Sequence, residues 1–339
     1  MNCSRLASIL SACALLVPAA AARAGCVDDA ALTGVNLAGA EFNSKRLPGK
    51  MHKDYTYPDR AELAYFAERG ANAIRLPVRW ERLQHEPGAE LAAPEVAEIA
   101  KVVSAAAQAG LCVILDVHNY GTYRGQPIGS EAVPTAAFMD LWLRLAARFR
   151  DPAQVALGLM NEPHKLPIGQ WADIAAQTLT ALRAAGAQHL VLVSGGRWSG
   201  IHEWRKTFSG TSNATAFAEL RDPLGRMAIE VHQYADKDFS GTGKRCHPPE
   251  RFDNMFRVIG EWARDHQQRL FLGEFGVPAE DGCLAVLEHM LELAADRKVW
   301  LGWTYWAAGR WWGDYPLSVS PKDGTDAAQM GVLTKHLGR

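Results

Sequence analysis

Two glutamates stand where apolar, strand-like runs end. Glu162 closes Val-Ala-Leu-Gly-Leu-Met-Asn-Glu within residues 155–164, and Glu274 closes Leu-Phe-Leu-Gly-Glu within residues 270–276. A carboxylate at the tip of a buried strand costs desolvation energy and adds nothing to the strand. Two such tips suggest one proton donor and one nucleophile aimed into a shared cleft, the carboxylate pair that splits a glycosidic bond. Glu162, followed by Pro163, also has a plainer reading as a solvated strand terminus.

Other polar and aromatic residues recur at equivalent places. Asn36 lies near the end of the first apolar run with Glu41 after it, and Arg75 lies in the second. His118, Asn119 and Tyr120 follow the third, and Asn161 precedes Glu162. Trp198 lies past the fifth run, His232 and Tyr234 past the sixth, and Trp306 ends the eighth. Taken singly, Arg75 could pair with a carboxylate for structure, His118 and His232 could be satisfied core histidines, and Trp306 could be packing. It is their joint occurrence after successive strands that points to a sugar-binding rim. No metal-ligand set stands out, and there is no C-x-x-C, H-E-x-x-H, G-x-S-x-G or phosphate-binding glycine loop, so neither a metal nor a cofactor is implied.

The elements that must position these residues are eight apolar runs: 32–37, 73–77, 111–117, 155–160, 190–193, 227–231, 270–273 and 300–306. Helical patterns alternate with them. Phe138, Leu141, Leu145 and Phe149 share one helical face, as do Leu284, Leu287, Leu291 and Ala294. Pro58, Pro94 and Pro134 stand at helix starts, and Gly70, Gly110 and Gly186 at helix ends. Strand and helix repeated eight times, with the strands apolar throughout, indicate a parallel sheet covered by helices. A single (β/α)8 TIM barrel is preferred over an open doubly wound sheet, because polar residues follow almost every strand, as they do on the active rim of a barrel. The fifth unit is the weakest: residues 198–221 carry a poor helical pattern and are expected to be mostly loop.

Residues 1–24 have a lone Arg5, an apolar stretch and a small-x-small site at Ala22-Arg23-Ala24, the pattern of a secretory signal peptide. A lipoprotein signal ending at Cys26 fits less well, because Arg23 lies so close upstream. Residues 25–339 are then one catalytic domain, expected outside the cell or in the periplasm, with no linker or separate binding module. A net charge of −1 provides no basic face for nucleic acid or an anionic membrane, and no later segment is long and apolar enough to span a bilayer. The substrate is expected to be neutral. Eleven tryptophans and eight tyrosines fit stacking on sugar faces, although aromatic content by itself is more often core packing. A monomer is expected.

Cys3 and Cys13 depart with the signal, leaving Cys26, Cys112, Cys246 and Cys283 and three possible full pairings. Cys246 and Cys283 both lie in polar, Gly/Pro-flanked loops and are the expected bridge. Cys112, inside an apolar run, is expected to be a buried free thiol, with Cys26 unpaired near the new N-terminus.

The chain resembles the endoglucanases (cellulases) of glycoside hydrolase family five. The stretches that carry the resemblance are Gly-Val-Asn-Leu-Ala-Gly-Ala-Glu-Phe (34–42), Ile-Arg-Leu-Pro-Val (74–78), Asp-Val-His-Asn-Tyr (116–120), Asn-Glu-Pro-His (161–164), His-Gln-Tyr (232–234), Gly-Glu-Phe-Gly (273–276) and Tyr-Trp-Ala-Ala-Gly (305–309). They run in order over essentially the whole chain after residue 24. The resemblance implies that Glu162 is the acid/base and Glu274 the nucleophile of a retaining endo-β-1,4-glucanase. It further implies that Asn161 holds the neighbouring hydroxyl, that Arg75 and Tyr234 flank the nucleophile, and that His118 and His232 orient sugar and acid. Asn119 joins the sugar contacts, Trp306 stacks under a ring, and Cys246 bridges to Cys283. Around Trp198 the family pattern varies, so its place at the sugar is less defined. β-Mannan or mixed-linkage glucan is the nearest alternative substrate, and a carbohydrate-binding barrel without activity the alternative of another kind.

Overall fold

The computed structural model describes residues 25–27 and 30–338; the expected signal peptide at 1–24 lies outside them. Eight parallel strands close into a barrel: β1 (Leu32–Leu37), β2 (Ala73–Val78), β3 (Cys112–Val117), β4 (Val155–Gly158), β5 (Val191–Ser194), β6 (Met227–His232), β7 (Leu270–Glu274) and β8 (Trp300–Ala308). Each strand pairs with its sequence neighbours, and β8 pairs with β1 through Leu32 opposite Gly302 and Gly34 opposite Thr304. This is the (β/α)8 TIM barrel read from the eightfold alternation. Gly34 is required by the close approach of β1 to β2, since a Cβ there would lie 1.7 Å from the Ala73 carbonyl oxygen.

The helices that follow the strands are α1 (Arg60–Glu68), α2 (Ala93–Gln108), α3 (Thr135–Arg148), α4 (Ile168–Ala184), α5 (Asn213–Ala216), α6 (Asp253–Asp265) and α7 (Asp281–Leu293), with α8 (Ala328–Leu333) after β8 and an additional single turn, Trp80–Leu83, between β2 and α2. Asp59 and Glu62 form a capping box that starts α1, and Pro94 sits in the first turn of α2, where a missing N–H costs nothing. In α3 the apolar stripe Phe138, Leu141 and Leu145 is fully buried against the barrel wall, each side chain contributing about 1.5 to 3 kcal/mol. The fifth unit holds only the single turn α5 and a short 3-10 turn, Ile201–Glu203, as its weak helical pattern indicates. Among the described residues no helix is long and apolar enough to cross a membrane.

Strand alternation sets the axial layering inside the barrel. Inward positions are apolar at the amino ends, where Leu32, Ala73, Cys112, Ile114, Ala156, Leu192, Ala228 and Phe271 form one cluster. Two residues further on, the same faces carry Arg75, Asp116 and Glu230. The chain therefore fills the floor with hydrocarbon and loads the carboxyl-terminal rim with charge.

The cysteines correct one expectation. Cys246 and Cys283 are bonded as expected, but Cys112 is not a free thiol and Cys26 is not unpaired: they are bonded to each other, with Cα atoms 5.0 Å apart. Cys112 begins β3, so its side chain points into the barrel floor. Residues 25–27 lie at that floor, where the Cys26 N–H donates to the Ala153 carbonyl at 2.9 Å and the Cys26 side chain joins the same apolar cluster.

Candidate active site

Arg75 is the centre of the rim and is fully buried. Its Nη1 donates to Oδ1 of Asn36 at 2.9 Å and to Oε1 of Glu274 at 3.0 Å, and its Nη2 donates to Oδ1 of Asn161 at 2.8 Å. Nη2 also pairs with Glu230 at 2.9 Å and Asp116 at 3.2 Å. Burial opposes the charge, but Asp116, Glu230, Glu274 and Glu162 outweigh it and raise the guanidinium further above its ordinary value. Asn36 staples β1 to β7 and β8 by donating to the carbonyls of Gly273, Thr304 and Tyr305.

Glu274 ends β7 with one donor on each oxygen: Arg75 on Oε1 and the Tyr234 hydroxyl on Oε2 at 2.7 Å. Burial raises its pKa; His232 and Arg75 oppose that, Glu162 adds to it, and the net direction is upward. His232 and Arg75 are thus the two cations that favour its charged form against burial. Glu162 sits in the turn after β4 at φ 40°, a left-handed conformation uncommon outside glycine, and its Oε1 faces Nδ1 of His232 at 2.9 Å. Glu162, His232 and Glu274 bring one polar atom each within 4.8 Å of one another. Burial lowers the pKa of His232, but Glu274, Glu162 and Glu230 together outweigh it and push the ring up to about 10.

The other expected residues fall into two groups. Trp306 borders the rim, with its ring stacked 5.5 Å from His118 and edge-on to Trp312. Trp198 is 44% exposed and stacks on His164 at 3.7 Å, with Tyr120 edge-on beside both, forming an open aromatic platform. Asn119 turns away from the cleft. Its side chain accepts from the Trp80 N–H and donates to Glu81 and the Thr122 carbonyl, tying down the loop after β3. His118 has both ring nitrogens engaged, Nδ1 with Asp116 at 2.7 Å and Nε2 with the Asn161 amide at 3.2 Å. It holds Asn161, and the second N–H of that amide is the one left to meet a ligand.

Sequence reasoning missed Glu230 and quoted Asp116 without a role. The available signal was a charged residue inside an otherwise apolar strand, two positions before a histidine and therefore on its face. Glu41 lies in the loop after β1. It is buried, accepts the Gly39 N–H at 2.7 Å, and is pushed up to about 7 chiefly by burial.

The sequence profile of the cellulase family (glycosyl hydrolase family 5) matches residues 35–309. The chain belongs to this family. It is a glycoside hydrolase with paired glutamates at a barrel rim. Endo-β-1,4-glucanase B of Emericella nidulans is 32% identical over 331 residues, which cover 97% of this chain and 96% of that one. An endo-β-1,4-glucanase structure from Xanthomonas axonopodis pv. citri is 44% identical with a TM-score of 0.89, covering 91% of this chain and 99% of that one. The endoglucanase Cel5A of Pseudomonas stutzeri, solved in complex with cellobiose, is 36% identical with a TM-score of 0.84, covering 90% and 92%.

Proposed function

We propose that the chain is a secreted endo-β-1,4-glucanase that cuts internal bonds of cellulose-type glucans with retention of configuration, Glu274 attacking and Glu162 serving as acid and then base. The observation that carries this reading is the approach of Glu162 and Glu274 oxygens to within 4.8 Å. Retaining enzymes keep their carboxyl groups about 5 to 5.5 Å apart, whereas inverting enzymes need about 6.5 to 9.5 Å to seat a water between them. The glucan preference is supported by the relatives, named as endo-β-1,4-glucanases, and by the cellobiose bound to the Pseudomonas stutzeri enzyme. Secretion is supported by the signal-like residues 1–24 and by two disulfides.

In the first step an oxygen of Glu274, oriented by Arg75 and Tyr234, attacks the anomeric carbon. Glu162 passes a proton to the departing glycosidic oxygen. The carboxyl oxygen not held by His232 is the one available for that transfer. In the second step Glu162 takes a proton from water, which attacks the same carbon and frees Glu274. Sugar rings are gripped by Trp306 and by the Trp198 platform, and single hydrated chains suit such an open cleft better than a crystalline surface.

Proton NMR of the first products from a soluble β-1,4-glucan tests the reading. The newly formed reducing end should be the β-anomer, and viscosity should fall well ahead of reducing-end release. An initial α-anomer refutes retention. Faster cleavage of mannan or mixed-linkage glucan moves the substrate to those alternatives.

A further inference from the structure

Two strands place a carboxylate two residues before a histidine on the inward face: Asp116 before His118 at β3, and Glu230 before His232 at β6. Both carboxylates reach the same atom, Nη2 of Arg75. Each also takes one nitrogen of its own histidine, Asp116 at Nδ1 and Glu230 at Nε2, the latter at 3.2 Å. The two pairs differ in what faces the second nitrogen.

Nε2 of His118 meets the amide nitrogen of Asn161, and that amide cannot be turned over because its Oδ1 accepts from Arg75. An amide nitrogen only donates, so Nε2 carries a lone pair and the ring is neutral. Nδ1 of His232 meets Oε1 of Glu162, with Oε2 of Glu274 at 3.7 Å. With the acid's proton on Oε2, the oxygen free for transfer, Oε1 of Glu162 accepts; with Glu230 on the other side both nitrogens of His232 then donate and the ring is an imidazolium. The electrostatics agree: burial pushes His118 down to about 3, while the surrounding carboxylates push His232 up to about 10. The charged and titratable groups around His232 are Glu162 from the turn after β4, Glu230 on its own strand and Glu274 on β7. Arg75 on β2 and Asp116 and His118 at β3 lie beyond them.

Glu230 has a place made for it. Gly273 lies against its carboxylate, and a Cβ on that glycine would come 2.2 Å from Glu230 Oε1. The glycine before the nucleophile thus leaves the volume that Glu230 fills.

We propose that Glu230 is a positioning residue for proton transfer: buried behind the rim, it holds His232 as an imidazolium whose Nδ1–H fixes the Glu162 carboxyl and stabilises the carboxylate left after the proton departs. This rests on Glu162 being the acid/base. Asp116, with the same spacing and the same guanidinium contact, holds a neutral histidine instead, so the neighbour across the ring decides which state each pair adopts.

The test is ring-nitrogen NMR of histidine-labelled protein, read together with the pH profile of kcat. In the wild type, both His232 nitrogens should carry protons at pH 7. In Glu230→Gln the ring should lose a proton about 1 to 3 pH units lower, the size of one close charge partner. The alkaline limb of kcat should move down with it, and Glu230→Asp should restore both. Gly273→Ala, which crowds the carboxylate without removing it, should shift the ring the same way and serves if the Gln variant does not fold. A neutral His232 in the wild type at pH 7 overturns the proposal. So does a Gln or Ala variant with an unmoved titration, or a kcat lowered evenly at every pH. The spectrum needs no turnover, so failure of the acid/base reading, seen as an active Glu162→Ala enzyme, remains distinct from failure of this one.

Discussion

The Tyr234 hydroxyl donates to Oε2 of Glu274 at 2.7 Å, opposite the Arg75 contact on Oε1 at 3.0 Å, so the carboxylate at the tip of β7 is held from both sides. A hydrogen bond to a charged group is worth about 1.5 to 3 kcal/mol. Tyr234→Phe keeps the ring and removes that bond, and kcat/KM should fall roughly 10- to 150-fold by the same measure. The sign of the pH effect follows from the nucleophile needing its charge. Glu274 is already raised by burial, so activity is lost on acidification above the pH at which an exposed glutamate would titrate. Losing the Tyr234 donor moves that acidic limb higher still. An unshifted limb in Tyr234→Phe would show that the hydroxyl does not act on the charge.

The two glutamates should separate by leaving group. Glu274→Ala should lose nearly all activity on every substrate. Glu162→Ala should lose it on polysaccharide yet form the glycosyl-enzyme rapidly from an aryl glycoside with an acidic leaving group, which needs little protonation. Burst kinetics with such a substrate checks this. Equal damage to both substrates in Glu162→Ala would count against its role as acid.

Thiol titration of the denatured, unreduced protein, after loss of residues 1–24, should find no free sulfhydryl. The Cys26–Cys112 bond joins residues 86 apart, so in the chain-entropy account its removal costs about 4 to 5 kcal/mol. Cys26→Ala should unfold at clearly lower denaturant, and a variant as stable as wild type would mean the floor segment needs no covalent tie.

Glu41 makes stability depend on pH. Its carboxyl is raised from 4.5 to about 7 in the folded state, so between those values the folded protein holds a proton that the unfolded chain has released. A group raised in this way has the folded state bind more protons, so stability falls as pH rises through the window and the loss is complete above pH 7. Glu41→Gln keeps an acceptor for the Gly39 N–H without the charge. Denaturation at pH 4.5 and pH 8 should show the Gln variant gaining on the order of 3 kcal/mol over wild type across that interval. A difference that does not grow with pH would mean that the carboxyl is solvated when ionised.

Much of this protein was open to reading along the chain. The eight strands announced themselves as apolar runs because both faces of a barrel strand are covered, and Glu162, Glu274 and Arg75 stood out because charge in or at the end of a buried strand is costly unless it is paired. Helix ends followed from local chemistry at Pro94, Gly110 and Gly186, which depends on neighbours within one turn. The poor pattern after Trp198 likewise marked the one unit whose helix is a single turn.

Partners across the barrel were not open to reading. Strand alternation says which face Glu230 and Asp116 occupy, but only closure of the sheet brings both to one nitrogen of Arg75. Cys112 looks like any small apolar strand residue until the fold sets Cys26 against it. Asn119 stands beside His118 in the chain, yet alternation turns it to the opposite side, toward Trp80. The charge on His118 and His232 depends on whether an amide or a carboxylate lies across each ring. Local sequence determines which elements form and which faces they present, because those rest on contacts within a few residues. Contacts between distant strands, and the protonation states they impose, come from barrel geometry and were decided only in the folded molecule.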